Sequence, residues 1–345
     1  MKKTTAKKIY IIYTGGTIGM RKHKNGYAPA PKLLEEKLSR ISFLNDYTKI
    51  PNYVINSYVP LIDSSDMSID IINRIGRDIY ANYDKYDGFV VLHGTDTMAY
   101  TASALSFMFA NLTKPIILTG AQESIIGTKS DSESNLLNSL YFAVNFSDVH
   151  EVCICFGGKL LRGNRAIKFS TKNYDAFLTP NYPVLHEITD DSAANKNNII
   201  AVQSKTKTPV INFCELTNKC NIDVLYLFPG LSRDLLQKRL SLLQSLVIVS
   251  YGLGNAPTDS NFLKILYKAS QDGKLLAHVS QCPHNLARPS IYEAGIKFER
   301  AGVTNLYDMT LSAAIFKTIY LNSDNLSVAE IKRKLQENLR GEIGL

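Results

Sequence analysis

The sequence of 345 residues contains no tryptophan and only five cysteines. The cysteines are odd in number and form no C-x-x-C pair, which argues against a disulfide framework and against a zinc site. No apolar run reaches the roughly 18–20 residues that a membrane-spanning helix requires. The basic N-terminal stretch has too short an apolar part for a signal peptide, whose apolar region usually takes about 7–15 residues. These absences predict a cytoplasmic protein that holds no metal and contacts no membrane.

The net charge of +8 raises the possibility of a nucleic-acid partner. The lysines are spread along the chain, and neither an arginine-rich block nor an aromatic RNA-binding signature accompanies them. A solvated basic surface explains the charge better, so we expect no nucleic-acid partner. Hydrophobic residues make up 45% of the chain and charged residues 20%, as in ordinary globular proteins. Because one core rarely grows past about 250–300 residues, the length predicts two domains.

Strand-like apolar runs alternate with amphipathic helical segments along most of the chain. Strands are predicted at 8–13, 53–59, 87–94, 114–121, 151–156, 223–228, 245–252 and 274–280. Helices are predicted at 31–41, 68–83, 97–112, 133–146, 231–243, 259–273, 311–321 and 327–339. This alternation is typical of the α/β class, in which helices flank a mostly parallel sheet.

The alternation is interrupted around 188–210 by a polar stretch with few large apolar residues, which is typical of a linker. We therefore predict a larger N-terminal α/β catalytic domain over 1–190, with a mostly parallel sheet flanked by helices. A linker follows over 191–220. A smaller flavodoxin-like or Rossmann-like α/β domain then occupies 221–345.

Residues 14–20, TGGTIGM, follow the first predicted strand, at the sheet edge where ligands of open α/β sheets bind. A dinucleotide fingerprint would need glycine in place of Thr14, and a P-loop would need lysine in place of Met20. The turn instead presents the hydroxyls of Thr14 and Thr17 beside glycines that permit a close approach. A tight turn without chemistry is an equally good interpretation of this stretch alone.

Further polar clusters follow other predicted strands. Thr95 and Asp96 stand in HGTDT, two serines and two aspartates stand at 63–66, and Lys168 follows RGNR. Taken singly, such residues are usually helix caps or surface groups. Together they suit a hydroxyl nucleophile whose proton is taken through a second hydroxyl, a carboxylate and a lysine. N–H groups of the glycine turns can stabilise the oxyanion, and His93 is expected to be a packed residue.

TGGTIGM and HGTDTMAYTASALSF together closely resemble the cytoplasmic type I class of bacterial L-asparaginases. DSSDM, RGNR, SYGLGNAP and the terminal NLRGE match as well. The resemblance covers nearly the whole chain and weakens over 122–133, 190–220 and 283–305. It implies a hydrolase that converts L-asparagine, with some activity on L-glutamine, to the acid and ammonia without a cofactor. It also implies a homodimer or homotetramer.

The resemblance further implies roles for individual residues. Thr14 matches the nucleophile that forms a β-aspartyl ester, and Tyr27 matches a tyrosine on a mobile loop, 21–30, that closes over the substrate. Thr95, Asp96 and Lys168 match a second catalytic triad. Substrate contacts are implied for strand-end residues and for one residue that reaches a neighbouring subunit's site, namely Asp63, Ser64, Ser65, Gly94, Thr95, Asp96, Ala121 and Asn255.

Some members of this class carry a regulatory asparagine site between subunits. It uses an arginine, a threonine and a cysteine at the positions of Val249, Ile167 and Cys282. Two of these three positions have lost their polar side chain here, so we predict that an allosteric response is weak or absent.

Two other functions compete with this interpretation. The ammonia-generating subunit of a tRNA amidotransferase shares the motifs but carries a domain before the TGGTI strand, which begins here near residue 8. An amino-acid sensor would have lost the nucleophile or the lysine, and both are present. We therefore expect an asparaginase.

Overall fold

The computed structural model describes residues 7–24, 26–30, 32–38, 51–126, 130–146, 148–188, 210–284 and 291–344. The chain divides into two compact units. The N-terminal unit comprises Met1–Thr179 and Pro183–Cys214, and the C-terminal unit comprises Pro180–Tyr182 and Glu215–Leu345. Most of the predicted linker, 191–220, lies outside the described residues, so the boundaries at 190 and 220 stay a prediction. No helix in the described ranges is long and apolar enough to cross a membrane.

The N-terminal unit is built on one large sheet. The described strands of this unit are β1 (Lys8–Tyr13), β2 (Met20–His23), β3 (Gly26–Pro29), β4 (Asn52–Ser57), β5 (Gly88–Leu92), β6 (Phe109–Ala110), β7 (Ile116–Thr119), β8 (Val152–Phe156), β9 (Lys159–Arg162), β10 (Ile167–Lys168), β11 (Phe177–Leu178), β12 (His186–Glu187) and β13 (Asn212–Phe213). Seven of them form the order β12-β9-β8-β7-β5-β1-β4, and the others pair as β2–β3, β6–β13 and β10–β11. The five strands from β8 to β4 run parallel, whereas β9 pairs antiparallel with β8 on one side and with β12 on the other.

The helices of this unit are α1 (Leu33–Leu38), α2 (Ile69–Asn82), α3 (Met98–Met108) and α4 (Ser132–Asn145). Ser68 caps α2 by accepting the N–H of Ile71 at 3.3 Å. The helix predicted over 97–112 ends at Met108, because the chain there enters β6 and pairs with β13. β13 is distant along the chain, and local periodicity carries no signal for such a pairing.

The C-terminal unit holds a parallel sheet of order β14-β15-β16-β17. These strands are β14 (Ile222–Tyr226), β15 (Ser245–Ser250), β16 (Leu275–Ser280) and β17 (Val303–Asn305), and the helices are α5 (Arg233–Leu242), α6 (Ser260–Gln271), α7 (Glu293–Arg300), α8 (Leu311–Asn322) and α9 (Val328–Leu335). The sequence patterns did not predict α7 and β17. The α/β class with two α/β units is confirmed.

A buried ion pair holds the terminal NLRGE segment in the C-terminal unit. The Lys317 ammonium lies 2.5 Å from the Glu342 carboxylate, and both side chains are fully buried. Lys317 also donates to the Leu335 carbonyl at 2.9 Å. Burial lowers the pKa of Lys317, whereas the charge of Glu342 opposes that shift. Removing either partner would leave an uncompensated charge in the core.

The strand order places a crevice where the polar clusters lie. β1 has β4 on one side and β5 on the other. The chain leaving β1 proceeds to β4, whereas the chain leaving β5 proceeds to β7 in the opposite direction. The connections beyond the carboxyl ends of β1 and β5 therefore diverge, which is the topological switch point where ligands bind in open α/β sheets.

Candidate active site

Three strand-end loops pack backbone against backbone at this switch point. The Ile62 N–H donates to the Thr14 carbonyl at 2.7 Å. A Cβ on Gly16 would lie 2.6 Å from the Cα of Gly94, and a Cβ on Gly94 would clash with the Oγ of Ser64. Side chains at these two glycines would push the loops apart, so the glycines set how closely the polar groups of the loops converge.

Replacing Gly16 by alanine tests this packing. Gly16 has a φ of +94° and meets the backbone of Gly94, whereas Gly273 has a φ of +79° and open space around its Cβ position. Gly273→Ala loses about 1–2 kcal/mol to the unfavourable φ, and Gly16→Ala loses at least as much, because its φ of +94° and ψ of 171° form a combination that essentially only glycine adopts. We expect Gly16→Ala to lose about 1–3 kcal/mol more in the free energy of unfolding, because the backbone must also shift. Equal losses for the two variants in urea unfolding would contradict the packing argument.

Lys168 joins the loop that follows β5. Its Nζ donates to Thr95 Oγ1 at 2.8 Å and lies 2.6 Å from Asp96 Oδ1. Lys168 belongs to β10, which follows the 3-10 turn Gly163–Arg165 and pairs with β11. Groups predicted from two separate stretches of sequence are thus in direct contact.

The start of α3 decides between a capping role and a chemical role for Asp96. The N-cap residue is Thr97, whose side chain makes no capping bond and instead donates to the Ser64 carbonyl at 2.7 Å. Asp96 bonds to Lys168 and faces solvent, with 68% of its side chain exposed. Asp96 therefore does not serve as the helix cap, and its carboxylate is accessible to a ligand.

The two threonines of the TGGT turn differ in their surroundings. Thr14 is 1% exposed, and its hydroxyl donates to the Leu92 carbonyl at 2.9 Å. Thr17 begins the 3-10 turn Thr17–Gly19 and is half-buried. Within the described part of the chain, no hydrogen bond engages the Thr17 hydroxyl. Thr14 thus ties β1 to β5, whereas the Thr17 hydroxyl is left without a hydrogen bond among the described residues.

The loop after β4 is held by its own side chains. The Asp63 carboxylate accepts the N–H and the hydroxyl of Ser65 at 2.9 and 2.8 Å, and it caps the 3-10 turn Ser64–Asp66. Ser64 is buried against Gly94. Ala121, two residues beyond β7, is also buried. The residues of the β4, β5 and β7 loops thus lie beyond the carboxyl ends of neighbouring strands, as expected.

Comparison with known proteins identifies the family. Residues 8–201 match the family model "Asparaginase, N-terminal", and residues 221–335 match "Glutaminase/Asparaginase C-terminal domain". The chain belongs to the asparaginase family. The resemblance seen in the sequence is therefore confirmed.

Similar proteins support the same assignment. L-asparaginase 1 of Escherichia coli (strain K12) is 39% identical, and the alignment covers 98% of each chain. The crystal structure of L-asparaginase I from Vibrio cholerae O1 biovar eltor superposes with a TM-score of 0.88 at 40% identity, covering 99% of this chain and 100% of that one. The thermostable L-asparaginase from Thermococcus kodakarensis superposes with a TM-score of 0.84 at 28% identity, covering 98% of this chain and 99% of that one.

Two further residues implied by the asparaginase resemblance belong to other elements of the chain. Tyr27 belongs to β3, which forms a hairpin with β2, and its side chain lies outside the described part of the structure. Asn255 belongs to the C-terminal unit, where its backbone bridges to Tyr251. The Oδ1 of Asn255 is buried and has no hydrogen-bond partner among the described residues.

The three positions matched to the regulatory site also differ in their surroundings. Val249 is buried within β15, Ile167 is half-buried in β10, and Cys282 is exposed.

His93 is a packed residue beneath the candidate site, as expected. It is fully buried, with Nδ1 lying 2.7 Å from the Gly94 carbonyl and Nε2 lying 2.9 Å from Thr101 Oγ1. A carbonyl can only accept, so Nδ1 carries the proton and Nε2 accepts from Thr101. Burial lowers the pKa of His93 to about 4. His93 therefore stays neutral and supports the loop that carries Thr95.

This burial predicts a loss of stability in acid. Between pH 6.5 and about 4, the unfolded chain takes up a proton at His93 that the folded chain does not, so acid favours unfolding. From pH 7 to 5, His93 should lower the free energy of unfolding by about 2 kcal/mol. Urea unfolding at both pH values should show a smaller decrease for His93→Gln. An identical decrease in the two proteins would contradict the role assigned to His93.

Proposed function

We propose that this protein hydrolyses L-asparagine to L-aspartate and ammonia by double displacement through a threonine acyl-enzyme. The contact of Lys168 with Thr95 and Asp96, at the switch point that also holds the TGGT turn, is the observation that carries the proposal. A hydroxyl becomes a useful nucleophile only where a neighbouring group can take its proton. The arrangement supplies such a relay, and family membership favours an amide substrate.

Thr17 is the better candidate for the nucleophile, in place of Thr14, which the resemblance implied. The Thr14 hydroxyl is buried and already donates to the Leu92 carbonyl, so attack would require breaking a bond between two strands. The Thr17 hydroxyl is half-buried and has no partner within the described ranges. Both threonines were visible in the sequence, but their different burial was not.

The reaction proceeds in two steps. Thr17 Oγ attacks the side-chain carbonyl carbon of asparagine, and its proton passes to the departing nitrogen, which leaves as ammonia. Water then attacks the ester, aspartate departs, and the proton returns to Thr17. Thr95 carries protons between the reacting atoms and Lys168, while the Asp96 carboxylate stabilises the ammonium form of Lys168. Tyr27 assists the nucleophile from the β2–β3 hairpin.

The polar groups of the loops suit an α-amino acid. The exposed Asp96 carboxylate accepts the substrate ammonium, and the loop of Asp63, Ser64 and Ser65 binds its carboxylate. Gly94, Thr95 and Ala121 of the strand-end loops supply further substrate contacts. Asn255 reaches the site of the neighbouring subunit in a homodimer or homotetramer. L-Glutamine is one methylene longer, which a simple pocket discriminates by only about 1–3 kcal/mol, so side activity is expected. The protein acts in the cytoplasm without a cofactor.

Ammonia and aspartate release from purified protein tests this function. Wild-type protein should turn over asparagine with hyperbolic saturation, since Val249 and Ile167 offer no polar group to an effector. Thr17→Ala should lower kcat by at least about 10³-fold, while Thr17→Ser, which keeps the hydroxyl, should retain measurable turnover. Thr14→Val should retain most of its kcat, because it removes only a structural hydrogen bond.

The outcomes separate the parts of the proposal. An inactive Thr14→Val beside an active Thr17→Ala would restore Thr14 as the nucleophile. Sigmoidal saturation would show that an effector site exists. Folded wild-type protein without turnover of asparagine or glutamine would overturn the proposed function and favour a sensor or an amidase with another substrate.

A further inference from the structure

The first part of the connection between β7 and α4, residues 120–126, touches both halves of the proposed catalytic site. On one side it contacts the segment 169–176, which begins directly after Lys168. The Gln122 Nε2 donates to the Ser170 carbonyl at 3.2 Å and to the Asn173 carbonyl at 3.3 Å. Each N–H of the carboxamide thus has one carbonyl acceptor, and Gln122 holds the segment at two points.

On the other side the same connection contacts the turn that carries Thr17. The Ser124 hydroxyl donates to the Met20 carbonyl at 2.5 Å, and the Ile125 N–H donates to the Ile18 carbonyl at 3.1 Å. Ser124 is 4% exposed, so solvent does not compete for its bond. Ile18 lies within the turn Thr17–Gly19, and Met20 follows it directly.

The connection itself is fixed to the start of α4. The Asp131 carboxylate, 5% exposed, accepts the N–H groups of Gln122 at 3.0 Å and Glu123 at 2.9 Å. Asn135 Nδ2 donates to Asp131 at 3.1 Å and also to the Gly120 carbonyl at 3.1 Å. A buried carboxylate that accepts several N–H groups holds a loop in one conformation. The two outward contacts therefore start from a rigid base.

We infer that Gln122 and Ser124 are positioning residues that together set the separation of Lys168 and Thr17. Their bonds reach 48 and 104 residues along the chain, and each ends on a segment that carries one member of the catalytic set. Neither side chain is assigned a contact with substrate. The inference rests on the proposed function, because it specifies how the groups of that site are kept in register, and small displacements of reacting groups reduce turnover strongly.

A double-mutant cycle tests the inference. Gln122→Met keeps the length of the side chain but cannot donate, and Ser124→Ala removes the hydroxyl. We expect each to lower kcat for asparagine about tenfold with KM changed less than about twofold. The double variant should be no slower than the slower single variant. Losing either contact already releases one half of the site from the other, so losing the second contact has no further effect on their separation. Ser134→Ala is the matched control, since it removes a hydroxyl that donates to the Asp131 carbonyl at 3.0 Å within the first turn of α4.

A further variant separates hydrogen bonding from side-chain size. Gln122→Glu keeps the size but faces the two carbonyls with oxygen atoms, so it should lose at least as much kcat as Gln122→Met. A wild-type kcat for Gln122→Glu would overturn the inference. The inference would also be overturned if kcat were unchanged in both single variants, or if the two losses in kcat multiplied in the double variant. Losses in kcat equal to that of Ser134→Ala at equal melting temperature would overturn it as well. An inactive wild type would instead overturn the proposed function and this inference with it.

Discussion

The site depends on one sheltered ammonium group. Lys168 places its Nζ between Thr95 Oγ1 and Asp96 Oδ1, and its side chain is 16% exposed, whereas the carboxylate of Asp96 remains open to solvent. A hydroxyl beside Lys168 can pass a proton to its amine form or receive one from its ammonium form without a histidine, and the nearby imidazole of His93 is buried and kept neutral. The contact joins the loop after β5 to the short strand β10, so it forms only if two segments 72 residues apart are both held in place.

The sheet supplies the geometry for that contact. The order β7-β5-β1-β4 opens a crevice between the connections that leave β1 and β5, and the TGGT turn and the HGTDT loop lie on its two sides. Glycines at 16 and 94 let the loops approach to backbone contact. Hydrogen bonds from polar side chains then hold the loops together. The Thr14 hydroxyl donates to the Leu92 carbonyl, and the Thr97 hydroxyl donates to the Ser64 carbonyl. Several hydroxyls of the motif region are therefore structural, and the Thr17 hydroxyl differs from them because it has no partner among the residues that the structure describes.

Local patterns in the sequence predict the fold, whereas the candidate members of the site come from strand-end motifs together with the family resemblance. The buried runs of β1, β5, β8 and β15 and the amphipathic helices α2 and α6 were predicted by periodicity alone. What local patterns could not predict depends on distant partners, as the end of α3 depends on the pairing of β6 with β13. The different burial of the Thr14 and Thr17 hydroxyls could not be predicted either, because it arises where β1 pairs with β5. The residues next to a hydroxyl in the sequence do not indicate whether a neighbouring strand buries it.

The identity of the acylated hydroxyl is the central claim, and trapping the acyl-enzyme tests it most directly. Wild-type protein would be quenched in acid during steady-state turnover of asparagine, digested, and analysed by tandem mass spectrometry for a peptide that carries an added aspartyl group. Fragment ions that separate Thr14 from Thr17 locate the ester. The account predicts the aspartyl mass on Thr17 and its absence from the Thr17→Ala protein. An aspartyl group on Thr14, or an ester on Thr95, would contradict it.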